Sequence, residues 1–398
     1  MSMRLRYLWP LFFSPVLLMA ELGIVEAVTE GAVHGQIKLF SYDIDKASDE
    51  DAYATAVGGY LVYSTDTVDT NKSIFGSMRF HTSQPVGYGQ NREKTSLFKD
   101  NGEALTANSE AYIGWRGSGR VLRIGNLMLN TPMMNDDRTR IVPWSYQGAA
   151  YTGEAIPDTK VQLNYIRKIR SHISDKYAEE SASGEIGSGI TMLGIEYDGI
   201  KNFDLQSYYY YAPDLYSTFI AQADYKLILD KDNMICVGIQ YFNSGNGGKY
   251  AETENKNGGD DIDLLAIKAG FHAEDWLVSL NYSQNFGISG IVKGYGGLAQ
   301  VFTTSMIANG RGNYKPETWM LKTVYEFPVD KWGQSDVALT LTNTRVKDSR
   351  GDDFDAYYMH WKHRFNVETS LFVRFEDIDY KGDKSDVKYL RVIASYDF

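Results

Sequence analysis

Between Leu127 and Ser145 lie four charged side chains in close succession, Asp136, Asp137, Arg138 and Arg140. Carboxylates beside guanidiniums make no bonds by themselves. At the narrow point of a water-filled path they would set up a transverse field that orders small charged solutes. The same stretch carries Met128, Met133, Met134 and Trp144, which makes it too apolar for a loop in open solvent. Folded inward, it would bury those side chains against a wall and leave the charges at the constriction. A loop capping the rim is the structural alternative.

Signals for bond-making chemistry are weak. The six histidines (34, 81, 172, 272, 360 and 363) are scattered, and no stretch reads as a nucleophile elbow, a metal-binding pair or a phosphate loop. His360 and His363 would meet one metal only on a helix, yet Tyr358, His360 and Lys362 alternate as a strand. Asp352 with Asp353, and Asp260, Asp261 and Asp263, offer the oxygen ligands that Ca²⁺ takes, but solvated loop ends are the commoner role of such groups. No cofactor and no enzymatic activity are expected.

The elements that would hold such a loop are strands. Period-two segments recur from about residue 33 to the C-terminus, about eighteen of roughly ten residues each, the length a tilted strand needs to cross a bilayer. Ile74, Gly76, Met78 and Phe80 alternate with Ser77, Arg79 and His81, and Val337, Leu339 and Leu341 with Ala338, Thr340 and Thr342. A soluble sandwich would alternate in the same way. The connections discriminate, because compact links (Gly117 to Gly119, Asp198 to Lys201, Asp230 to Asn233, His272 to Asp275, Phe365 to Asn366) alternate with long ones. The long ones are Gln84 to Asn108, Leu127 to Ser145, His172 to Gly189, Ser244 to Asp260 and Asn285 to Lys315. Ala212 to Asp214 is a short link where a long one is due. The last strand ends on Phe398, with Leu390, Val392, Ala394, Tyr396 and Phe398 on one face and Arg391, Ser395 and Asp397 on the other, as suits lipid outside and water inside.

Composition fits this reading. Aromatic residues make up 14% (29 Tyr, 18 Phe, 7 Trp), and 37 Gly stand against 9 Pro, a mix suited to interfacial girdles and tightly joined strands. The single Cys236 excludes an intrachain disulfide, and a net charge of −11 disfavours nucleic acid as a partner. Arg4 and Arg6, an apolar stretch from Tyr7 to Met19, and small residues at Ala20 and Ala27 read as a signal peptide over residues 1–27, cleaved after Ala20 or Ala27. Residues 28–398 then form one domain: all-β, a transmembrane antiparallel barrel of about eighteen strands with an inward-folded constriction loop. Parity sends Lys38, Arg79, Arg116, Arg123, Lys168, Arg170, Lys226, Lys268, Lys322, Lys362, Arg374 and Arg391 to the inner wall. On the lipid face each would cost roughly 2–4 kcal/mol near mid-membrane.

Specific residues resemble the OprD family of outer-membrane porins. Arg123-Ile124-Gly125, Thr131-Pro132 and the run from Asp137 through Arg138, Arg140, Pro143 and Trp144 to Gly148 are similar to that family's third loop and the strand after it. Asn281 to Gln284, Gly294 to Leu298, Val301 to Ala308 and Thr318 to Phe327 are similar to its seventh loop and following strand. The resemblance implies an eighteen-stranded pore unit, often a homotrimer, in the bacterial outer membrane. It implies passive transport of ions and small polar solutes, among them amino acids and other carboxylates, guided by a ladder of basic residues. That ladder would include Lys322 and Arg391, with Arg79, Arg116, Arg123, Lys362 and Arg374 as candidates from parity, and Asp136, Asp137, Arg138 and Arg140 would form the constriction. Gly294, Gly296 and Gly297 would let the seventh loop turn. Lys322 stands where the family commonly has Arg, which keeps the charge and loses the bidentate fork. The acidic net charge is similar to that of the divergent epsilonproteobacterial major porins. A surface adhesin or structural outer-membrane protein is the competing function, and it would keep the barrel while placing the activity in the long loops.

Overall fold

The computed structural model describes residues 30–65, 73–137, 139–181, 184–185, 188–213, 216–246, 262–287, 295–306, 315–348 and 351–398. The proposed signal segment, Arg138, Gly294, Asp260 and Asp261 lie outside the described residues. Strands β1 (Ala32–Lys46), β2 (Ala52–Ser64), β3 (Ile74–Gln90), β4 (Leu105–Gly117), β5 (Arg120–Leu127), β6 (Ser145–Ile156) and β7 (Thr159–Arg170) are followed by a short hairpin, β8 (Glu180–Ser181) and β9 (Gly184–Glu185). Then come β10 (Ile190–Tyr197), β11 (Phe203–Ala212), β12 (Tyr216–Ile228), β13 (Asn233–Asn246), β14 (Ile262–Ala273) and β15 (Trp276–Asn285). The chain closes with β16 (Pro316–Pro328), β17 (Gln334–Val346), β18 (Phe354–Arg364), β19 (Thr369–Tyr380) and β20 (Val387–Asp397).

All but β8 and β9 belong to one 18-stranded sheet in which each strand pairs with its neighbours in the chain, β7 pairs with β10, and β1 pairs with β20. Closure leaves no edge, so every strand has partners on both sides, the condition for a sheet in hydrocarbon. No helix among the described residues is long and apolar enough to cross a membrane. At the seam Gly35 and Phe398 exchange backbone hydrogen bonds of 2.8 and 2.9 Å. A side chain at Gly35 would strike the Phe398 ring, its Cβ lying 2.3 Å from Cζ, so the glycine makes room for the terminal aromatic.

The alternation sorts as expected. Large apolar side chains such as Ile37, Leu61, Ile124, Ile239, Leu280, Leu341 and Leu390 are exposed on the outside, where lipid covers them. Aromatic pairs sit on that outer face near the end that carries both chain termini: Trp276 against Tyr325, with ring centres 4.4 Å apart, and Phe203 against Tyr225 at 4.7 Å. One connection differs from its sequence reading. The loop placed from Gln84 to Asn108 is shorter, because β3 runs 17 residues to Gln90 through Pro85, Gly87 and Gly89. Beyond Ser83 this strand is paired only with β2, and proline is tolerated where one side of a strand is free.

Candidate functional site

The segment after β5 folds into the barrel. Leu129, Met133 and Met134 are buried against Tyr208, Tyr210 and Ile220 of β11 and β12 and against Tyr295 and Val301 of the inward segment 295–306. On the other side Ile141 packs with Phe40, Tyr42 and Ile44 of β1. Burial of each such side chain contributes about 1.5–3 kcal/mol. A loop dragged off the surface must also pair its peptide groups. Wall tyrosines do this: Tyr210 Oη accepts from the Met133 N–H at 3.2 Å and donates to Thr131 Oγ1 at 2.9 Å, and Tyr146 Oη donates to the Asn135 carbonyl at 2.9 Å. Arg170, which parity assigned to the inner wall, is fully buried and donates to the Pro143 carbonyl and to Ser145 Oγ, each at 2.9 Å. It clamps the end of the loop.

The segment 295–306 is tied to this loop. Asn135 Nδ2 donates to the Leu298 carbonyl at 2.9 Å, and the Leu298 N–H donates to Asn135 Oδ1 at 3.0 Å. Gly297 has φ +77°, and an added Cβ would lie 2.7 Å from the Asn135 backbone, so both conformation and contact demand glycine. Two inward segments therefore narrow the lumen together.

The charged residues named from sequence separate into three groups. In the first, β19 and β20 place Arg374 directly opposite Arg391, and Arg391 faces Tyr42 of β1 across the seam. Arg391 lies with Cζ 4.4 Å from the Tyr42 ring centre and donates through Nη2 to Tyr42 Oη at 2.9 Å. Arg140 reaches the same ring from the loop, with Cζ at 5.1 Å. Arg374 donates through Nε to Tyr358 Oη at 3.1 Å and stands 5.2 Å over Phe372, and Lys362 Nζ lies 5.9 Å from that ring. Among the described residues none of Arg140, Arg374 and Arg391 makes an ion pair with a carboxylate. Three guanidiniums are thus gathered by aromatic faces. Burial, and after it the neighbouring Arg391, pulls the Arg140 pKa down to about 10, so it remains charged at neutral pH. Lys322, on β16 nearby, has no ion-pair partner among the described residues.

The second group is on β3 to β5. Arg79 Nε lies 3.4 Å from Glu110 Oε2, so its charge is largely neutralised. Arg123 stands over Tyr112 at 5.5 Å. Arg116 is exposed at the end of β4, over Phe75 at 4.4 Å, and does not join the others. The third group is acidic. Asp137 sits in the loop with φ 42° and a buried Oδ1 that has no hydrogen-bond partner among the described residues. The Asp136 carbonyl accepts from the Trp144 N–H at 3.0 Å, which closes the loop's neck. His172, from the connection after β7, stacks edge-on to Trp144 at 5.4 Å. Burial first, then Arg140, pushes its pKa down to about 4.

Sequence reasoning did not find Tyr42, Tyr358 or Asn135. A signal for Tyr42 was present: Phe40, Tyr42 and Ile44 share the lumen parity of β1, and an apolar inner face implies something packed on it. The other candidates resolve into structural roles. Asp352 accepts the N–H groups of Asp383 and Lys384 at 3.2 and 3.0 Å, and Asp353 accepts from Val346 at 2.7 Å and faces Arg345 at 3.3 Å. His360 points into the lumen toward Asp336, 2.8 Å away, whereas His363, three residues on, lies on the opposite face of β18. Among the described residues no three His, Cys, Asp or Glu side chains are grouped to hold a metal ion.

A closed barrel with a lipid-compatible exterior, a polar interior and two inward segments is an outer-membrane channel for small solutes. The chain belongs to the OprD family of outer membrane porins, whose family model matches residues 87–377. Three solved structures share its fold. Pseudomonas aeruginosa OccK9 (OpdG) is 14% identical with a TM-score of 0.80, covering 94% of this chain and 99% of that one. OccK8 (OprE) of the same organism is 15% identical with a TM-score of 0.77 over the same shares, 94% and 99%. OpdK with vanillate is 15% identical with a TM-score of 0.75, over 92% and 98%. No match is found among curated protein sequences. Family and fold are those of non-enzymatic porins.

Proposed function

We propose that this channel passes small carboxylate-bearing solutes by passive diffusion, and that Arg140, Arg374 and Arg391 attract the carboxylate at the constriction, with Lys322 and Lys362 continuing the basic path. One observation carries the reading: three guanidiniums converge beside Tyr42 and Tyr358 with no carboxylate partner among the described residues. Guanidinium forks suit a carboxylate geometrically as well as by charge. Vanillate, found with OpdK, is itself a small carboxylate. Asp136, Asp137 and Arg138 complete the loop's charge cluster, Arg79 and Arg123 line the wall on the other side, and Arg116 stands at its rim. We further read residues 1–27 as the export signal, the assembled protein as a homotrimer, and the site as needing no cofactor.

The test is electrical. The mature chain, reconstituted in a planar bilayer under a KCl gradient, should give discrete conductance steps and a zero-current potential of anion-selective sign. A cation-selective sign from folded pores would overturn the carboxylate reading. Folded protein without conductance would favour an adhesin, and loss of adhesion on deleting the Ser244 to Asp260 loop would then be its mark.

A further inference from the structure

Across the barrel from the arginines, the wall carries a row of side-chain amides. Gln206 of β11 lies directly opposite Gln222 of β12, and Gln222 directly opposite Gln240 of β13. All three have the lumen parity of their strands, since Tyr209, Phe219 and Ile239 on the other parity are exposed to lipid. Side chains directly opposite on neighbouring strands have Cβ atoms about 5 Å apart, so the amides form a continuous track. Together with Gln300 and the Tyr208 and Phe302 rings they line a cavity of about 430 Å³ under the two inward segments.

The charges bordering this cavity are already satisfied. Glu196 accepts from Lys160 at 3.0 Å and from Gln162 at 2.7 Å, and is also bonded to Tyr208. Asp224 is 2.6 Å from Lys268 and accepts from Gln222. Net charge there is balanced, so an incoming ammonium gains little. Gln240 is committed as well: its Nε2 donates to Gln222 Oε1 at 2.8 Å and to the Gln300 carbonyl at 3.0 Å, and its Oε1 accepts from the Phe302 N–H at 3.3 Å. Gln240 fixes the track. Gln206 and the Gln300 side chain have no hydrogen-bond partner among the described residues. A primary amide both donates and accepts, which matches a hydroxyl group, whereas an ammonium uses only acceptors.

We propose that this glutamine track is a subsite for the uncharged, hydroxyl-bearing portion of the permeating solute, so that the channel favours polyhydroxylated carboxylates of the sugar-acid class over plain fatty or ammonium-bearing ones. The inference rests on the carboxylate reading above. Its test compares gluconate, hexanoate and arginine as added solutes in single-channel recordings of the wild type, Gln206→Leu and Gln300→Leu.

In the wild type, gluconate should interrupt the current for longer than hexanoate, which has the same charge and carbon count. Each leucine variant should shorten the gluconate events by about fivefold per hydrogen bond lost and leave hexanoate events and KCl conductance unchanged. Equal residence of gluconate and hexanoate in the wild type, or gluconate events indifferent to both variants, overturns the subsite while leaving the carboxylate reading intact. Longer residence of arginine than gluconate overturns it in favour of a cation-reading wall. If neither carboxylate interrupts the current, the carboxylate reading fails and takes the subsite with it. Unaltered KCl steps in the variants show that the pore has folded, and Gln300, on a loop rather than a strand, keeps the comparison valid if the strand variant misassembles.

Discussion

Replacing Arg391 by Met removes one charge from the proposed carboxylate site while keeping most of the side-chain stem. Its guanidinium carbon is 4.4 Å from the centre of the Tyr42 ring, and that of Arg140 is 5.1 Å from the same point, which bounds their separation at about 9.5 Å. One unit charge about 5 Å from an anion is worth roughly 0.8 kcal/mol in bulk water and about 3 kcal/mol at an effective dielectric constant of about 20, and Arg391, which is itself fully buried, acts on a lumenal anion through this field rather than by contact. For a wet lumen with protein walls about 1–2 kcal/mol is the reasonable interval, or roughly 5- to 30-fold in anion over cation permeability. The assay is the zero-current potential under a KCl gradient, recorded near 0.01 M, where the Debye length is about 30 Å and surface charge is least screened. The potential should move toward the cation side and the shift should shrink as salt is raised. The variant loses no ion pair, because among the described residues Arg391 has none, and its Nε and Nη1 are buried there without partners. A correctly folded variant whose permeability ratio changes by less than about twofold would refute the claim that this charge stands in the conduction path.

Three further outcomes follow from the same geometry. Asp137→Asn should make the channel more anion-selective by a few-fold, since it removes the carboxylate nearest Arg140 in the loop; reversal potentials compared with those of Arg391→Met must move in opposite directions. Gly297→Ala should loosen the two inward segments, because its Cβ would meet the Asn135 backbone at 2.7 Å and its φ is +77°, and the expected signature is increased open-channel noise with a preserved barrel. Acid should loosen the His172 connection: a pKa lowered from 6.5 to about 4 means that the unfolded segment binds the proton more tightly, so the packing on Trp144 weakens as pH falls from about 6.5 to about 4, by up to roughly 3 kcal/mol. Protection factors of residues 171–178, taken relative to intrinsic exchange at each pH, should fall across that window in the wild type and stay flat in His172→Phe.

Much of the barrel was legible because its cause is local. In a strand the side-chain period is two, and in a membrane one parity must be apolar, so the faces of Ile37, Leu39 and Leu390, of Arg374 and Arg391, and the number of strands all follow from the order of residues. The inward fold of the loop after β5 was legible for a similar reason: Met133, Met134 and Trp144 need a dry surface. Local patterning misled at Pro85, where the sequence shows a strand breaker and the register shows a strand with one free side.

What the sequence by itself determined is therefore which side of the wall each residue occupies. Only the tertiary structure decided which of those residues meet. Arg374 stands opposite Arg391 because of the register of β19 and β20, and Tyr42 joins them because closure pairs the first strand with the last. Arg140 reaches the same ring only after the loop has docked on β1. Charge and parity alone could not separate a cation such as Arg391, which has no carboxylate partner among the described residues, from a neutralised one such as Arg79. An ion pair depends on distances of a few ångströms between residues far apart in the chain, and those distances are fixed by strand register and loop packing rather than by any local pattern.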